Sequence, residues 1–300
     1  MSRRTLAFVF LCVICVGVAV AAVGAATMRA RGDEEASQRA AAVVKPSVDR
    51  LLSGDEPVVL FRSLDRKDRT AYGRLAIAPL EGDKPGDPLL AAEKCDRVDL
   101  AAGRGLCLST PGPAGFKAIV LDGSLEETGS VHLAGVPSRT RISPNGRYGG
   151  VTAFVSGHSY ADVGQFSTAA TLIDLQSGKK LADLEKDFTI SLDGEPVAAR
   201  DRNFWGITFS RDGDTFYATM AAGDKTYLVK ASLKRRTGIV VHENVECPSL
   251  SPDETRIGYK KAVGHNPHEL ALGAQILEEH HKLELLKNTT GSTEGRPPRA

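Results

Sequence analysis

Aromatic side chains are scarce in this sequence, at 6% of its 300 residues, and Trp205 is the single tryptophan. A surface that stacks nucleobases needs an array of exposed rings beside clustered cations, so that function class is disfavoured from the start. An excess of charge of one sign is missing as well. The formal net charge is +1, which leaves no basic footprint for phosphate backbones and argues against a nucleic-acid partner. Cysteine is sparse: of five, Cys12 and Cys15 fall in an apolar run, and Cys95, Cys107 and Cys247 remain. Outside a reducing compartment one pair can oxidise, with the third left as a thiol or paired to another chain. Long helical periods are absent beyond the amino terminus.

What is present begins with MSRRTLAFVFLCVICVGVAVAAVGAATMRARGD, in which residues 5–28 carry no charge. A helix crosses the hydrocarbon with about 20 apolar residues, whereas the apolar part of a cleavable signal runs to about 7–15. The length favours an anchor over residues 1–28, while the small residues Ala19, Ala21 and Ala25 would also suit signal cleavage. Arg3 and Arg4 on one flank face Arg29 and Arg31 on the other, so positive charge does not set the orientation. Both readings put the folded part outside the cytoplasm, in a cell-membrane protein of one span or, after cleavage, a secreted one. Residues 29–54 are charged and Ala-rich, which suits a linker or a short helix.

From Glu56 onward, short apolar runs such as PVVLFRSL, RLAIAPL, FKAIVLD, ATLIDL, FYATM, TYLVKA and GIVVHE are separated by Gly, Pro, Asp and Ser. That texture predicts an all-β domain of many short strands. Three corners recur within it, RISPNGRYGG, TFSRDGDTF and SLSPDETRIG. The pairs Asn145-Gly146 and Asp212-Gly213 suit tight turns because Gly tolerates positive φ and Asn or Asp bonds its own downstream backbone. In the third corner Asp253 is followed by Glu254 where the others have Gly, so that turn must change type or carry strain. A degenerate copy appears where CDRVDLAAGRGLCL aligns with CPSLSPDETRIGYK. The corners then fall near residues 103, 146, 213 and 254, and two of the three intervals match the roughly 40–45 residues of a four-stranded propeller blade. The long interval holds DFTISLDGEPVAA, whose Asp193-Gly194 predicts an inserted hairpin.

These SPNG, SRDG and SPDE corners, each followed by an apolar strand and later by a strand of the LIDLQSGK type, resemble the repeats of TolB-like β-propellers. The stretches PSRTRISPNGRYGGVTAFVSGHSYAD, NFWGITFSRDGDTFYAT and ENVECPSLSPDETRIGYKKAVGHNPH are similar to actinobacterial secreted or membrane-anchored proteins of that type. The resemblance implies a β-propeller of four-stranded blades over residues 55–271, lying outside the cytoplasm and serving as a protein-binding scaffold, and it does not imply a catalytic set. It breaks off in ALGAQILEEHHKLELLKNTTGSTEGRPPRA. Leu272, Ile276, Leu283 and Leu286 can share one helical face and the last ten residues are polar, so residues 272–300 are expected to be an atypical helical or disordered tail that leaves the propeller incomplete.

Gly157-His158-Ser159-Tyr160-Ala161 resembles a nucleophile elbow, which raises a hydrolase or lyase built on the His158-Ser159 loop as the alternative function. That motif needs a strand-turn-helix context, and here a strand-like AATLIDL follows. The expectation is a long blade loop whose His158, Tyr160 and Asp162 form a contact surface for an unidentified protein partner. His265, His268 and Glu269, with His280 and His281, match no zinc spacing, so neither a metal nor a cofactor is expected. Cys95 and Cys107 flank one predicted hairpin and are the disulfide candidates. A turn at Ala101-Ala102 would set Cys107 opposite Asp96, and a longer loop would separate the sulfurs. The LKRR run at 233–236 reads as a solvated turn that could also touch anionic lipid.

Overall fold

The computed structural model describes residues 3–68, 70–82, 84–112, 115–155, 167–199, 201–262, 270–277 and 283–285. The chain divides into two compact units, residues 1–95 and 96–300. The first unit groups the amino-terminal helix with the first four strands.

In the first unit, α1 (Arg3–Ser53) is one uninterrupted helix. Its amino-terminal part is rich in Val, Ala, Leu and Phe and has no proline, and large apolar side chains from Leu6 to Met28 stand exposed. Beyond it no break occurs at Met28, so residues 29–53 are not a loose tether. Ser37, Ala41 and Val48 recur on one helical face and are buried. That face packs on β4 and touches β2, within a sheet of β1 (Val58–Arg62), β2 (Arg74–Glu81), β3 (Lys84–Pro85) and β4 (Leu89–Lys94). Lys94 reaches Glu34 of the helix at 3.1 Å. Strand β2 buries Leu75, Ala76, Ile77 and Ala78 completely.

The second unit begins with two four-stranded antiparallel meanders. The first holds β5 (Arg97–Ala101), β6 (Arg104–Gly112), β7 (Gly115–Leu121) and β8 (Glu127–Leu133). The second holds β9 (Val136–Ile142), β10 (Tyr148–Val155), β11 (Ser167–Asp174) and β12 (Lys179–Asp183), followed by the short α2 (Leu184–Asp187). A six-stranded sheet comes next. Its outer pair β13 (Thr189–Leu192) and β14 (Glu195–Pro196) precedes the meander β15 (Asn203–Phe209), β16 (Thr215–Ala222), β17 (Lys225–Ser232) and β18 (Thr237–Glu243). The inserted hairpin is this outer pair, turned at Asp193 and Gly194 with φ of 52° and 89°, and β13 joins the edge of β18 in parallel. The last sheet holds β19 (Glu246–Leu250), β20 (Arg256–Ala262), β21 (Leu270–Leu277) and β22 (Leu283–Leu285).

The helical reading of the carboxyl end is therefore corrected where the structure describes it. Residues 270–277 pair along β20 from Ala262↔Leu270 to Arg256↔Ile276, and 283–285 pair back on 275–277. A short apolar run fits either period, and a waiting strand edge decides in favour of the sheet. Gly273, which weakens a helix, sits opposite Tyr259 in this register.

Period-two alternation makes each sheet a two-sided blade. Phe216, Ala218 and Met220 of β16 join a core with Ala170, Leu172, Phe188 and Phe204, while Tyr217 points the other way into a core with Val245, Ile257 and Tyr259. Phe188 meets Phe216 edge-on with centroids 5.6 Å apart. In β11, Leu172 serves the first of these cores and Ile173 a third, with Leu106, Leu108, Phe116 and Val151. Gly149 and Gly150 let both neighbours press in. A Cβ would come 2.5 Å from Leu106 at the first and 2.9 Å from Ile207 at the second.

Candidate functional site

The first strand of each meander is innermost: β9 packs against β5 and β15, and β15 against β19. The turns leaving these strands are the repeated corners, and the fold brings them together. A Cβ on Gly146 would lie 3.1 Å from Ala102, and one on Gly213 would lie 2.7 Å from the Asn145 amide nitrogen. Gly146 and Gly213 take φ of 69° and 70°. Glycine is therefore required twice over, for the left-handed backbone and for the close approach.

The corner chemistry is self-contained. Ser143 Oγ donates to Asn145 Oδ1 at 2.7 Å and accepts the Tyr148 N–H at 2.9 Å, while Asn145 Oδ1 accepts the Arg147 N–H at 3.0 Å. Ser251, Asp253 and Arg256 repeat this network, with Asp253 accepting the Thr255 N–H. Those bonds, first from the Ser251 hydroxyl and then from Thr255, hold the Asp253 carboxyl down at about 2. At the middle corner, Asp212 accepts the Asp214 and Thr215 N–H groups and the Thr215 hydroxyl. Burial opposes its ionisation, but these bonds prevail and its pKa is lowered.

Glu254 replaces the glycine without changing the turn, and it adopts the strained φ of 59°. Its carboxylate accepts the Ser210 hydroxyl at 2.7 Å and the Arg211 N–H at 2.5 Å. The strain is thus offset by a link from one corner to the preceding one, which the replacement of glycine hinted at without revealing the partner.

A second feature carried little sequence signal. A cavity of about 330 Å³ is walled by Phe116, Leu133, Val151 and Val155 and floored by Asp183 and Glu185. Ala170 donates its N–H to Glu185 Oε1 at 2.9 Å, and Phe204 donates to the same oxygen at 3.2 Å, so this carboxyl ties β11 to β15. Burial pushes its pKa up to about 7 against those bonds. Lys180 pairs with Asp183 at 2.7 Å and Lys186 lies 3.8 Å from the same oxygen, so neither cation neutralises Glu185. Only the charged run ADLEKD could have drawn attention to it.

The expected contact residues His158, Tyr160 and Asp162, together with Ser159, lie outside the described residues, as do His265, His268, Glu269, His280 and His281. Among the described residues no three His, Cys, Asp or Glu side chains converge as a metal site. Cys95 and Cys107 are both disulfide-bonded and buried, whereas Cys12, Cys15 and Cys247 are free. The β5–β6 turn is not at Ala101-Ala102: it falls at Ala102-Gly103, with φ of 48° and 68°, and Cys107 sits opposite Val98 rather than Asp96. Gly103 fixes that register because it accepts the second left-handed position.

Antiparallel meanders set in sequence, with their first strands side by side, define a β-propeller architecture. Solved structures similar to this chain include TolB-like β-propeller proteins. They include TolB from Acinetobacter baumannii, at 16% identity over 71% of this chain and 48% of that one with a TM-score of 0.44. A TolB candidate from Agrobacterium tumefaciens matches at 12% identity over 77% and 81% with a TM-score of 0.45. The β-propeller domain of the trilobed protease from Pyrococcus furiosus matches at 11% over 64% and 56% with a TM-score of 0.39. The chain thus spans about half the length of the Acinetobacter protein. No family model matches the sequence, and no curated protein does. The architecture by itself does not decide between binding and catalysis.

Proposed function

We propose that this protein is an extracytoplasmic, non-catalytic propeller scaffold, anchored by residues 5–28 and binding a protein partner through the loop that carries His158, Tyr160 and Asp162. The observation that carries the placement is the run of exposed apolar side chains on α1. Leu6, Phe8, Phe10, Val13, Val16, Val20, Val23 and Met28 all face outward, and the helix is long and apolar enough to cross a bilayer. Leaving them in water would forfeit on the order of 1 kcal/mol or more for each large side chain. A lipid environment removes that cost.

The corners support a scaffold over an enzyme. Ser143, Ser210 and Ser251 donate hydrogen bonds to the Asn145, Glu254 and Asp253 side chains, and Ser143 and Ser251 accept backbone N–H groups as well, so the repeated hydroxyls hold the turns in place and none of the three is paired with a histidine base. Treating the full chain with a fluorophosphonate probe tests the reading. No covalent labelling is expected, and labelling that Ser159→Ala abolishes would overturn it.

A further inference from the structure

The inserted pair β13–β14 creates a cleft that a four-stranded blade would not have. Its volume is about 470 Å³, and its lining joins Thr189 and Ser191 of β13 to Lys230 of β17, Arg235 of the following turn and Thr237 of β18. Thr215, Ser232, Ala231, Gly238 and Ile239 complete the lining, and no carboxylate belongs to it. The parallel pairing Thr189↔Thr237 and Ser191↔Ile239 sets the hydroxyls of two neighbouring strands side by side.

We propose that this cleft binds a phosphate-bearing ligand. The donors that face it are two cations and three hydroxyls. Thr189, Ser191 and Thr237 make no side-chain hydrogen bond with any described residue, and the Arg235 guanidinium pairs with no described carboxylate, so all four groups remain available. Thr215 and Ser232 are already committed, since their hydroxyls donate to Asp212 at 2.6 Å and to Asp214 at 2.8 Å. Those two acids stand behind the lining, where Asp212 feels Lys230 and Asp214 accepts the Lys234 N–H at 2.8 Å. They therefore balance the local charge without presenting oxygens to the cleft. A planar guanidinium, a point-charge ammonium and converging hydroxyls suit a tetrahedral oxyanion, which accepts several bonds at once. A cationic ligand would meet like charge and no carboxylate in the lining.

The LKRR turn supplies the arrangement. Arg236, at φ 54°, sends its guanidinium to the Leu181 carbonyl at 3.2 Å and its own carbonyl accepts the Thr189 N–H at 3.1 Å. These two bonds hold the turn and β13 together and leave Arg235 for the cleft. The phosphate could belong to a free small molecule or to an anionic lipid headgroup, and the two sources are separable by experiment.

The test is equilibrium dialysis of the full-length chain in non-ionic detergent against radiolabelled inorganic phosphate, alongside sedimentation of the chain reconstituted in phosphatidylcholine vesicles with and without phosphatidylglycerol. One saturable phosphate per chain, displaced by sulfate but not by chloride at equal ionic strength, supports a free ligand. Protection of Arg235 from phenylglyoxal only in the phosphatidylglycerol vesicles supports the headgroup. Lys230→Met and Arg235→Met are each expected to weaken binding about tenfold or more, and Lys234→Met, next to the cleft, to leave it unchanged. Thr189→Val, which keeps both cations, is expected to weaken binding with no change in the thermal midpoint. Absence of binding in both arms, or equal displacement by chloride, would overturn the assignment.

Discussion

Glu185 is the residue whose chemistry reaches furthest from its own position. Its carboxyl joins β11 to β15 through the Ala170 and Phe204 amides, and burial raises its pKa from 4.5 to about 7. The neighbours facing it are Asp183, which raises it further, Lys180 and Lys186 at the cavity mouth, and Arg202, whose guanidinium binds the Glu185 carbonyl at 3.3 Å. Because the folded chain holds this proton more tightly than the unfolded one, stability from this group is greatest below about pH 4.5, falls as pH rises toward 7 and is level above that. The shift corresponds to something on the order of 3 kcal/mol. Urea unfolding of wild type and Glu185→Gln between pH 5 and 8 is expected to show the wild-type slope flattened in the variant, which keeps an acceptor oxygen but cannot ionise. Parallel curves would contradict it. Nothing in the sequence marked this residue, since a glutamate in a charged run reads as solvated until the strands that enclose it are known.

At the scale of elements, local backbone chemistry was legible and competition between partners was not. The corners could be read because glycine, asparagine and aspartate carry their turn preference wherever they sit, and Asp193-Gly194 announced the β13–β14 hairpin in the same way. Its parallel attachment to β18 was not readable, because that depends on an edge supplied by residues 237–243. The same holds for β21. ALGAQIL is short and apolar, and helix or strand was decided by the exposed edge of β20. The β5–β6 hairpin yields a prediction of its own. Cys95 and Cys107 are buried and disulfide-bonded, with Cys107 held opposite Val98 by the turn at Gly103. Non-reducing peptide mapping should recover Cys95 and Cys107 in one linked fragment, with Cys247 alkylated as a free thiol. Replacing both by serine should cost about 2–4 kcal/mol of stability. Recovery of Cys247 in a disulfide would contradict the assignment.

For the whole molecule, the first 53 residues set the account. Composition gave the apolar run and its length, but not the continuity of the helix, because GDEEASQRAAAVV reads equally as a tether. The buried face at Ser37, Ala41 and Val48 makes the segment after the apolar run a packed part of the first unit, so the apolar run and the face packed on the first sheet belong to one helix. The claim that the chain is a membrane-held scaffold outside the cytoplasm is tested most directly by alkaline carbonate extraction of cells expressing the full chain, with protease added to intact cells in parallel. The account predicts that the chain stays with the membrane pellet and that external protease digests residues beyond 53. A chain released to the supernatant and protected in intact cells would contradict it.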